Sequence, residues 1–206
     1  IIAIVIFLVT MAAIMTEKLH RTVAAVAGAL LLILTGVLSV ESGFSYVDLN
    51  TLGVLIGMML FVAVVKNSGI FEYIAIKAAK IAKGRPWPLM VLFALITAVL
   101  SAFLDNVTTV LLIGPMTLAI TSMLRINPIP FFMTQIMASN IGGTATLIGD
   151  PPNIMIGSAA GLSFTDFITN TGVAVLFVLA ATIVCFYFIY GRKLHVEPEA
   201  MDSILQ

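Results

Sequence analysis

Two polar islands interrupt the long apolar runs of this sequence, and each island carries one carboxylate. The first reads DNVTT at residues 105–109, and the second reads SNIGGTATLIGDPPN at residues 139–153. Their carboxylate, amide and hydroxyl oxygens are hard donors that suit Na⁺, protons or oxyanions. The candidate ion- or substrate-binding residues are Asp105, Asn106, Thr108, Thr109, Ser139, Asn140, Gly142, Gly143, Thr144, Thr146, Asp150 and Asn153.

Asp105 and Asp150 are the side chains best suited to ion chemistry. An acidic residue within a bilayer costs about 2.5–3.5 kcal/mol on insertion scales, so by default it marks an ion or proton site. Both also have a structural interpretation as helix caps, because Asp105 precedes a predicted helix and Asp150 precedes Pro151. The two roles are compatible, since a capped helix N-terminus at the bilayer centre also attracts an anion. Unwound carbonyls near Gly142 and Gly143 are candidate cation ligands.

The second island predicts a broken helix. Gly142 and Gly143 weaken a helix, and Pro151 and Pro152 remove two successive backbone donors. Unpaired backbone at membrane depth is tolerated only where protein or a water-filled cavity satisfies it. Two interrupted segments in one membrane chain are typical of a transporter's binding site.

The composition indicates an all-α polytopic membrane protein. Hydrophobic residues make up 61% of the chain and charged residues 10%, whereas a soluble domain carries roughly 25% charged residues. The formal net charge is zero, which gives no reason to expect nucleic-acid binding. The single cysteine excludes an internal disulfide, and no His/Cys cluster suits a transition metal. We therefore expect no metal site and no cofactor beyond a coupling ion, Na⁺ or H⁺.

We predict one membrane domain over residues 1–206. The first apolar run is interpreted as a span cut at its start, and residues 161–170 as a loop. An amphipathic helix at 70–83 is expected to lie in the membrane interface, with an apolar face of Phe71, Ile74, Ala78 and Ile81. The remaining predicted elements are spans at 1–16, 22–38, 51–65 and 172–190, two apolar arms within 88–124, a broken helix at 131–160 and a cytoplasmic linker at 194–206.

The positions of the charges predict the orientation in the membrane. Crossing the bilayer at each span places all ten Lys and Arg residues on one side. By the positive-inside rule that side is cytoplasmic, so the N-terminus is expected outside and the C-terminus inside. The charges leave open whether 88–124 dips in and returns or crosses twice, because both topologies put Arg125 on the same side.

The two islands resemble motifs of the ArsB/NhaD permease family of the ion transporter superfamily. The matching stretches are LDNVTT at residues 104–109 and NIGGTATLIGDPPN at residues 140–153. This superfamily includes NhaD-type Na⁺/H⁺ antiporters, arsenite permeases, the melanosomal P protein and citrate-type carriers. The resemblance extends over essentially the whole chain and corresponds to the N-terminal half of the family's fold.

The resemblance implies one inverted repeat of a two-repeat transporter, with 88–124 as a re-entrant helical hairpin facing the broken helix. A C-terminal repeat would then come from the same or a second chain, and a homodimer is expected. The lipid bilayer and a small ion complete the expected partners. The expected location is a bacterial or archaeal cytoplasmic membrane.

The favoured function is half of a secondary active transporter, with Na⁺/H⁺ antiport by alternating access. Carboxylates at both interruptions suit cation and proton exchange, whereas an anion site would prefer bare helix N-termini and hydroxyls. The alternatives are an arsenite or organic-anion permease of the citrate or dicarboxylate type, and a non-transporting membrane subunit. An intramembrane aspartyl enzyme is disfavoured because the other features of such proteases are absent, so we do not expect an enzyme.

Overall fold

The computed structural model describes residues 1–194 and 196, and those residues form helices and no strand. This confirms the all-α prediction. The predicted linker at 194–206 lies outside the described residues except for positions 194 and 196. The α-helices are α1 (Ile2–Met15), α2 (Arg21–Leu34), α3 (Val40–Ser45), α4 (Leu49–Lys66), α5 (Ile70–Ile81), α6 (Pro86–Ser101), α7 (Asn106–Met123), α8 (Ile129–Gly143), α9 (Pro151–Ala160), α10 (Phe164–Phe167) and α11 (Val173–Ile189). A π-helical turn at Ile168–Gly172 joins α10 to α11, and a 3₁₀ turn at Gly191–Lys193 follows α11.

Three helical stretches of the described chain are long and apolar enough to cross a membrane. They are Leu49–Lys66, Asn106–Met123 and the continuous helical stretch Phe164–Lys193. Large apolar side chains point outward from these helices, and Phe177 on α11 is 73% exposed. An outer surface of this kind is stable in contact with lipid and not with water. The chain is therefore an integral membrane protein with a helical, polytopic architecture.

The chain divides into two compact units, Ile1–Leu49 and Asn50–Gln206. In the first unit, α1 packs against α2. Gly28 permits this approach, because a Cβ at that position would overlap the Thr10 side chain. Ser39 caps α3, with its Oγ accepting a hydrogen bond from the Ser42 N–H at 3.1 Å.

The core of the second unit lies where α6 packs against α8 and both contact α7. Leu89 and Phe93 of α6 and Phe131 of α8 are almost fully buried there. α6 and α7 form the hairpin predicted within 88–124, joined by a turn of four residues at 102–105. The hairpin positions its own turn beside the end of α8, which is where the two polar islands lie.

Helix α5 confirms part of the amphipathic prediction and corrects the composition of its buried face. Phe71 and Ala78 are buried as predicted, but Ile81 is 63% exposed. The rest of the buried face consists of alanines: Ala75, Ala79 and Ala82. Helices that pack closely prefer small residues at the contact, which explains why the alanines of α5 and not its isoleucines face α6 and α7.

The segment predicted as a loop at 161–170 is largely helical. Gly161 ends α9 with φ +65°, a backbone conformation that glycine adopts without strain. Ser163 and Asp166 then form a capping box that starts α10, with the Asp166 carboxylate accepting from the Ser163 N–H at 2.8 Å. The helix continues through the π-helical turn into α11, so Asn170 and Thr171 are held on a helix.

Candidate functional site

The hairpin turn between α6 and α7 ends at Asp105, which caps α7. Its Oδ1 accepts a hydrogen bond from the Thr108 N–H at 2.8 Å. This satisfies one of the unpaired amide donors at the start of the helix. The capping role expected for Asp105 is therefore present, and the residue also lines a cavity described below.

The predicted break in the second island is present, because α8 ends at Gly143 and α9 begins at Pro151. Asn153, in the first turn of α9, connects that helix back to the end of α8. Its Nδ2 donates to the Gly143 carbonyl at 3.1 Å and to the Thr146 carbonyl at 2.9 Å. Thr146 in turn donates its hydroxyl proton to the Ala102 carbonyl and accepts from the Gly149 N–H at 3.1 Å. Internal side chains thus satisfy the unwound backbone.

Two glycines of the break, Gly142 and Gly149, pack closely against the backbone at the end of α6. A Cβ on Gly142 would overlap the backbone of Ala98, and a Cβ on Gly149 would lie 2.8 Å from the Ser101 carbonyl oxygen. Ser101 adds a hydrogen bond across the same contact, from its Oγ to the Ser139 carbonyl at 2.7 Å. These glycines therefore allow close backbone approach.

The carbonyls considered as cation ligands already accept hydrogen bonds. The Gly142 carbonyl accepts from the Ala145 N–H at 3.0 Å, and the Gly143 carbonyl accepts from Asn153. Each carbonyl oxygen retains a second lone pair. A cation at these oxygens would therefore share them with the hydrogen bonds that hold the break.

Both carboxylates line one cavity of about 420 Å³. Asp150 stands at the N-terminus of α9 with extended backbone, but its side chain makes no capping hydrogen bond, unlike that of Asp105. Asn106 and Thr108 add an amide and a hydroxyl to the same cavity. The remaining lining residues are apolar: Leu55, Met58 and Met59 of α4, with Val107, Ile148, Pro151 and Pro152.

A second cavity, of about 610 Å³, holds a different group of the predicted residues. Asn140, Thr144 and Asn153 line it, together with Asn170 and Thr171 of the π-helical turn. The polar side chains on its wall are all neutral amides and hydroxyls. The sequence-predicted site therefore divides into a carboxylate cavity and an amide–hydroxyl cavity.

A pair of asparagines joins the hairpin to the end of α8 between these groups. Asn106 donates from Nδ2 to Asn140 Oδ1 at 3.1 Å. Asn106 lines the carboxylate cavity and Asn140 lines the amide–hydroxyl cavity. Both also line a third cavity of about 330 Å³, together with Ser139. The hydrogen bond between Asn106 and Asn140 thus connects the carboxylate cavity to the amide–hydroxyl cavity.

The remaining predicted residues are buried in the packing between helices. Thr109 has 0% relative exposure inside the hairpin. Thr146, Gly142 and Gly143 are buried in the contact between the break and the hairpin turn. Among the described residues, no group of three or more His, Cys, Asp or Glu side chains is placed to hold a metal ion.

Sequence reasoning missed two elements that line the cavities. Asn170 was assigned to a loop and Thr171 to no element, although the Ser163-x-x-Asp166 capping box is a sequence signal for a helix start. Thr171 Oγ1 donates to the Phe167 carbonyl of its own helix at 2.6 Å and also lies 3.4 Å from the Ala145 carbonyl of the break. The side chains from α4 carry no comparable signal, because an apolar helix shows no preferred face in its sequence.

Comparison with known proteins supports the assignment to a transporter family. The family described as citrate transporter matches residues 11–201. The 46 kDa membrane protein of Mycobacterium leprae is 40% identical over 209 residues, covering 100% of this chain and 49% of that protein. An uncharacterized transporter of Mycobacterium tuberculosis is 41% identical, with the same coverage of 100% and 49%. The P protein of Homo sapiens is 38% identical over 198 residues, covering 89% of this chain and 23% of that protein.

The chain spans about half the length of the mycobacterial relatives, which fits the expectation of one half of a two-repeat fold. The similarity to the P protein agrees with the resemblance inferred from the two motifs. With a family match over most of its length, the chain belongs to the citrate transporter family of membrane transporters.

Proposed function

We propose that the chain is one half of a secondary active transporter that exchanges Na⁺ for protons. The observation that carries this proposal is the cavity of about 420 Å³ lined by Asp105 and Asp150. Two ionised carboxylates on one cavity repel each other, and the repulsion is strong where water is scarce. A bound cation or a proton relieves it, so the two ions compete for the same site.

The two carboxylates have different freedom to take part in exchange. One oxygen of Asp105 is held by the Thr108 N–H, whereas the Asp150 side chain makes no such bond. Asp150 is therefore the carboxylate proposed to bind a proton and Na⁺ in alternation. Asp105 supplies a second carboxylate at the end of the hairpin, and Asn106 and Thr108 supply neutral oxygen ligands.

Alternating access would move the hairpin and the broken helix as one unit against the other spans. The Ser101–Ser139 and Asn106–Asn140 hydrogen bonds support this, because both join α8 to the hairpin. We also propose that a second repeat, in the same or another chain, completes the transporter, and that the complete protein is a homodimer. The basic side is proposed to be cytoplasmic, with the N-terminus outside.

A second candidate is an arsenite or organic-anion permease. The cavity of about 610 Å³ favours it, because its polar lining side chains, Asn140 and Asn170 among them, are neutral and carry no charge that would repel an oxyanion. The family description as citrate transporter points in the same direction. In that case Asp105 would serve first as the cap on α7, and both aspartates would act only secondarily in ion handling.

Everted membrane vesicles carrying the complete transporter separate the two candidates. An interior-acid proton gradient is followed with a pH-sensitive dye while Na⁺, Li⁺, arsenite and a dicarboxylate are added in turn. Antiport predicts that Na⁺ or Li⁺ collapses the gradient and that the anions do not. Movement of arsenite or the dicarboxylate with no response to Na⁺ would instead establish the permease.

A further inference from the structure

One end of the second compact unit brings four helix ends together. Ala82 directly after α5, Leu89 near the start of α6 and Leu124 directly after α7 are buried in one hydrophobic cluster. Tyr190, which follows α11, packs against the same cluster. The ends of α5, α7 and α11 and the start of α6 therefore lie at the same end of this unit.

Aromatic side chains lie at this end of the unit. Trp87, in the first turn of α6, contacts Tyr187 of α11 edge to face, with ring centroids 5.0 Å apart. Tyr190 stacks on Phe186 at a centroid distance of 5.6 Å. Tryptophan and tyrosine are enriched where the hydrocarbon of a bilayer meets the lipid headgroups. The aromatic contacts therefore place this end of the unit at headgroup depth.

Cationic side chains belong to the same helix ends, and we call these residues the basic rim. They are exposed, and they are Lys80, Lys83, Arg85, Arg125 and Arg192. The segments that carry them are 80–88, 122–127 and 190–194, and these segments contain no Asp or Glu. The rim is therefore a surface of one sign of charge.

The cations of the basic rim have no partner within the part of the chain that the structure describes. Their side chains make no hydrogen bond or ion pair with a described residue. A lysine at a helix C-terminus can bond the last carbonyls of the helix, but here the backbone already uses them. The Ala79 carbonyl accepts from the Gly84 N–H at 3.3 Å, and the Lys80 carbonyl accepts from the Lys83 N–H at 3.1 Å.

The outer face of α5 has a composition that suits the same depth. Tyr73, Ile76 and Lys80 lie on the side opposite the buried alanines, and Tyr73 is 62% exposed. Lys77 Nζ lies 5.5 Å from the centroid of the Tyr73 ring, so the cation lies along this face. The apolar atoms favour hydrocarbon, whereas the ammonium groups need polar partners. Both requirements are met at the boundary between acyl chains and headgroups.

We propose that the basic rim binds the headgroups of anionic phospholipids. Like charges gathered at one end of the unit repel one another, and a lipid phosphate relieves that repulsion. Arginine can bind a phosphate through two parallel hydrogen bonds, and lysine binds it as a point charge. The aromatic contacts between α6 and α11 place the rim at headgroup depth, which favours a lipid over a soluble anion. The proposal does not depend on the ion that the transporter carries, so it stands or fails separately from antiport.

The fluorescence of Trp87 tests the proposal, because it is the single tryptophan of this chain. The complete transporter is reconstituted in vesicles that contain lipids with brominated acyl chains, which quench tryptophan at short range. The signal of a Trp87→Phe variant is subtracted to remove any tryptophan outside this chain. We expect brominated phosphatidylglycerol to quench Trp87 more strongly than brominated phosphatidylcholine at the same mole fraction. Equal quenching by the two lipids in the unmodified protein would overturn the proposal, and a preference seen only in a Glu197→Gln/Glu199→Gln variant would instead assign the rim to acidic residues of the chain itself.

Paired charge variants test whether the rim causes the preference. Lys83→Gln/Arg85→Gln should abolish it, since each cation near an anionic membrane surface changes binding by roughly fivefold. Lys83→Arg/Arg85→Lys keeps both charges and should keep the preference. Lys18→Gln/Arg21→Gln is the matched control, because it removes one lysine and one arginine that do not belong to the rim. A preference that persists in Lys83→Gln/Arg85→Gln, or that is lost equally in the control, would overturn the proposal.

Discussion

Gly142→Ala and Gly149→Ala are expected to destabilise the protein by about 3 kcal/mol each, the upper part of the range for overpacking a tight contact. The added methyl of Gly142→Ala would overlap the Ala98 backbone. That of Gly149→Ala would overlap the Gly143 carbonyl oxygen within the break and lie 2.8 Å from the Ser101 carbonyl oxygen. A side chain can change rotamer to avoid an added methyl, but backbone atoms cannot. Helix propensity alone would favour alanine at position 142 by about 1 kcal/mol, so the sign of the effect separates packing from propensity.

Thermal unfolding of the purified complete transporter measures this effect. A loss of about 3 kcal/mol lowers the unfolding temperature by roughly 6–12 °C in a protein of about 150–250 residues, and the decrease is smaller in a longer protein because its unfolding entropy is larger. Gly53→Ala and Gly57→Ala on α4 are matched controls, because a Cβ at either position has no described atom within 4 Å. These controls should be neutral or slightly stabilising. Unchanged unfolding temperatures for Gly142→Ala and Gly149→Ala would contradict the close contact between the hairpin and the break.

The second large effect is expected on transport, where Asp105→Asn and Asp150→Asn should each reduce Na⁺-dependent proton movement to background. Each variant removes one negative charge from the carboxylate cavity while keeping the side-chain shape. Asparagine caps a helix about as well as aspartate, so Asp105→Asn should retain the hydrogen bond from Thr108. Vesicle assays should therefore show loss of exchange with little change in the amount of folded protein.

Alanine variants separate the loss of charge from the loss of the cap. Asp105→Ala should lose about 1 kcal/mol of stability relative to Asp105→Asn, because the cap on α7 is removed. Asp150→Ala and Asp150→Asn should have equal stability, because the Asp150 side chain makes no capping bond. Full exchange activity in Asp105→Asn or Asp150→Asn would show that the negative charge of that aspartate is not required for exchange.

The break and the hairpin turn were predictable because their residues restrict the backbone directly. Gly142 and Gly143 weaken a helix, and Pro151 and Pro152 lack the amide protons that would continue one. These effects depend on the residue itself and not on its neighbours. The structure accordingly ends α8 at Gly143 and starts α9 at Pro151.

Which way the helices face was harder to predict, because it depends on the partner. On α5 the hydropathy of Ile81 favoured burial, yet the contact with α6 and α7 is made by Ala75 and Ala79. Size decided the packing there more than hydropathy did. For the same reason the sequence did not predict that α4 lines the carboxylate cavity. Met58 and Met59 contribute to that lining, but they occur in a helix that is apolar on every side.

The division of the predicted site into two cavities also required tertiary structure. Asn140 and Thr144 are close in sequence to Asp150, but they line the cavity beside α11 and not the one beside α4. Asn140 lies on α8 before the break and Asp150 lies at its far end, so the path of the chain between Gly143 and Pro151 decides that the two residues line different cavities. No residue pattern within the motif encodes that path, although the motif itself locates the site.

Proton release on Na⁺ binding tests most directly whether the carboxylate cavity exchanges the two ions. The purified complete transporter is held in a weakly buffered solution with a pH indicator dye, and NaCl is added at constant ionic strength, with choline chloride as control. We predict acidification on addition of Na⁺, none on addition of choline, and none in the Asp105→Asn/Asp150→Asn double variant. Na⁺ binding measured by calorimetry without proton release, or unchanged release in the double variant, would contradict exchange at Asp105 and Asp150.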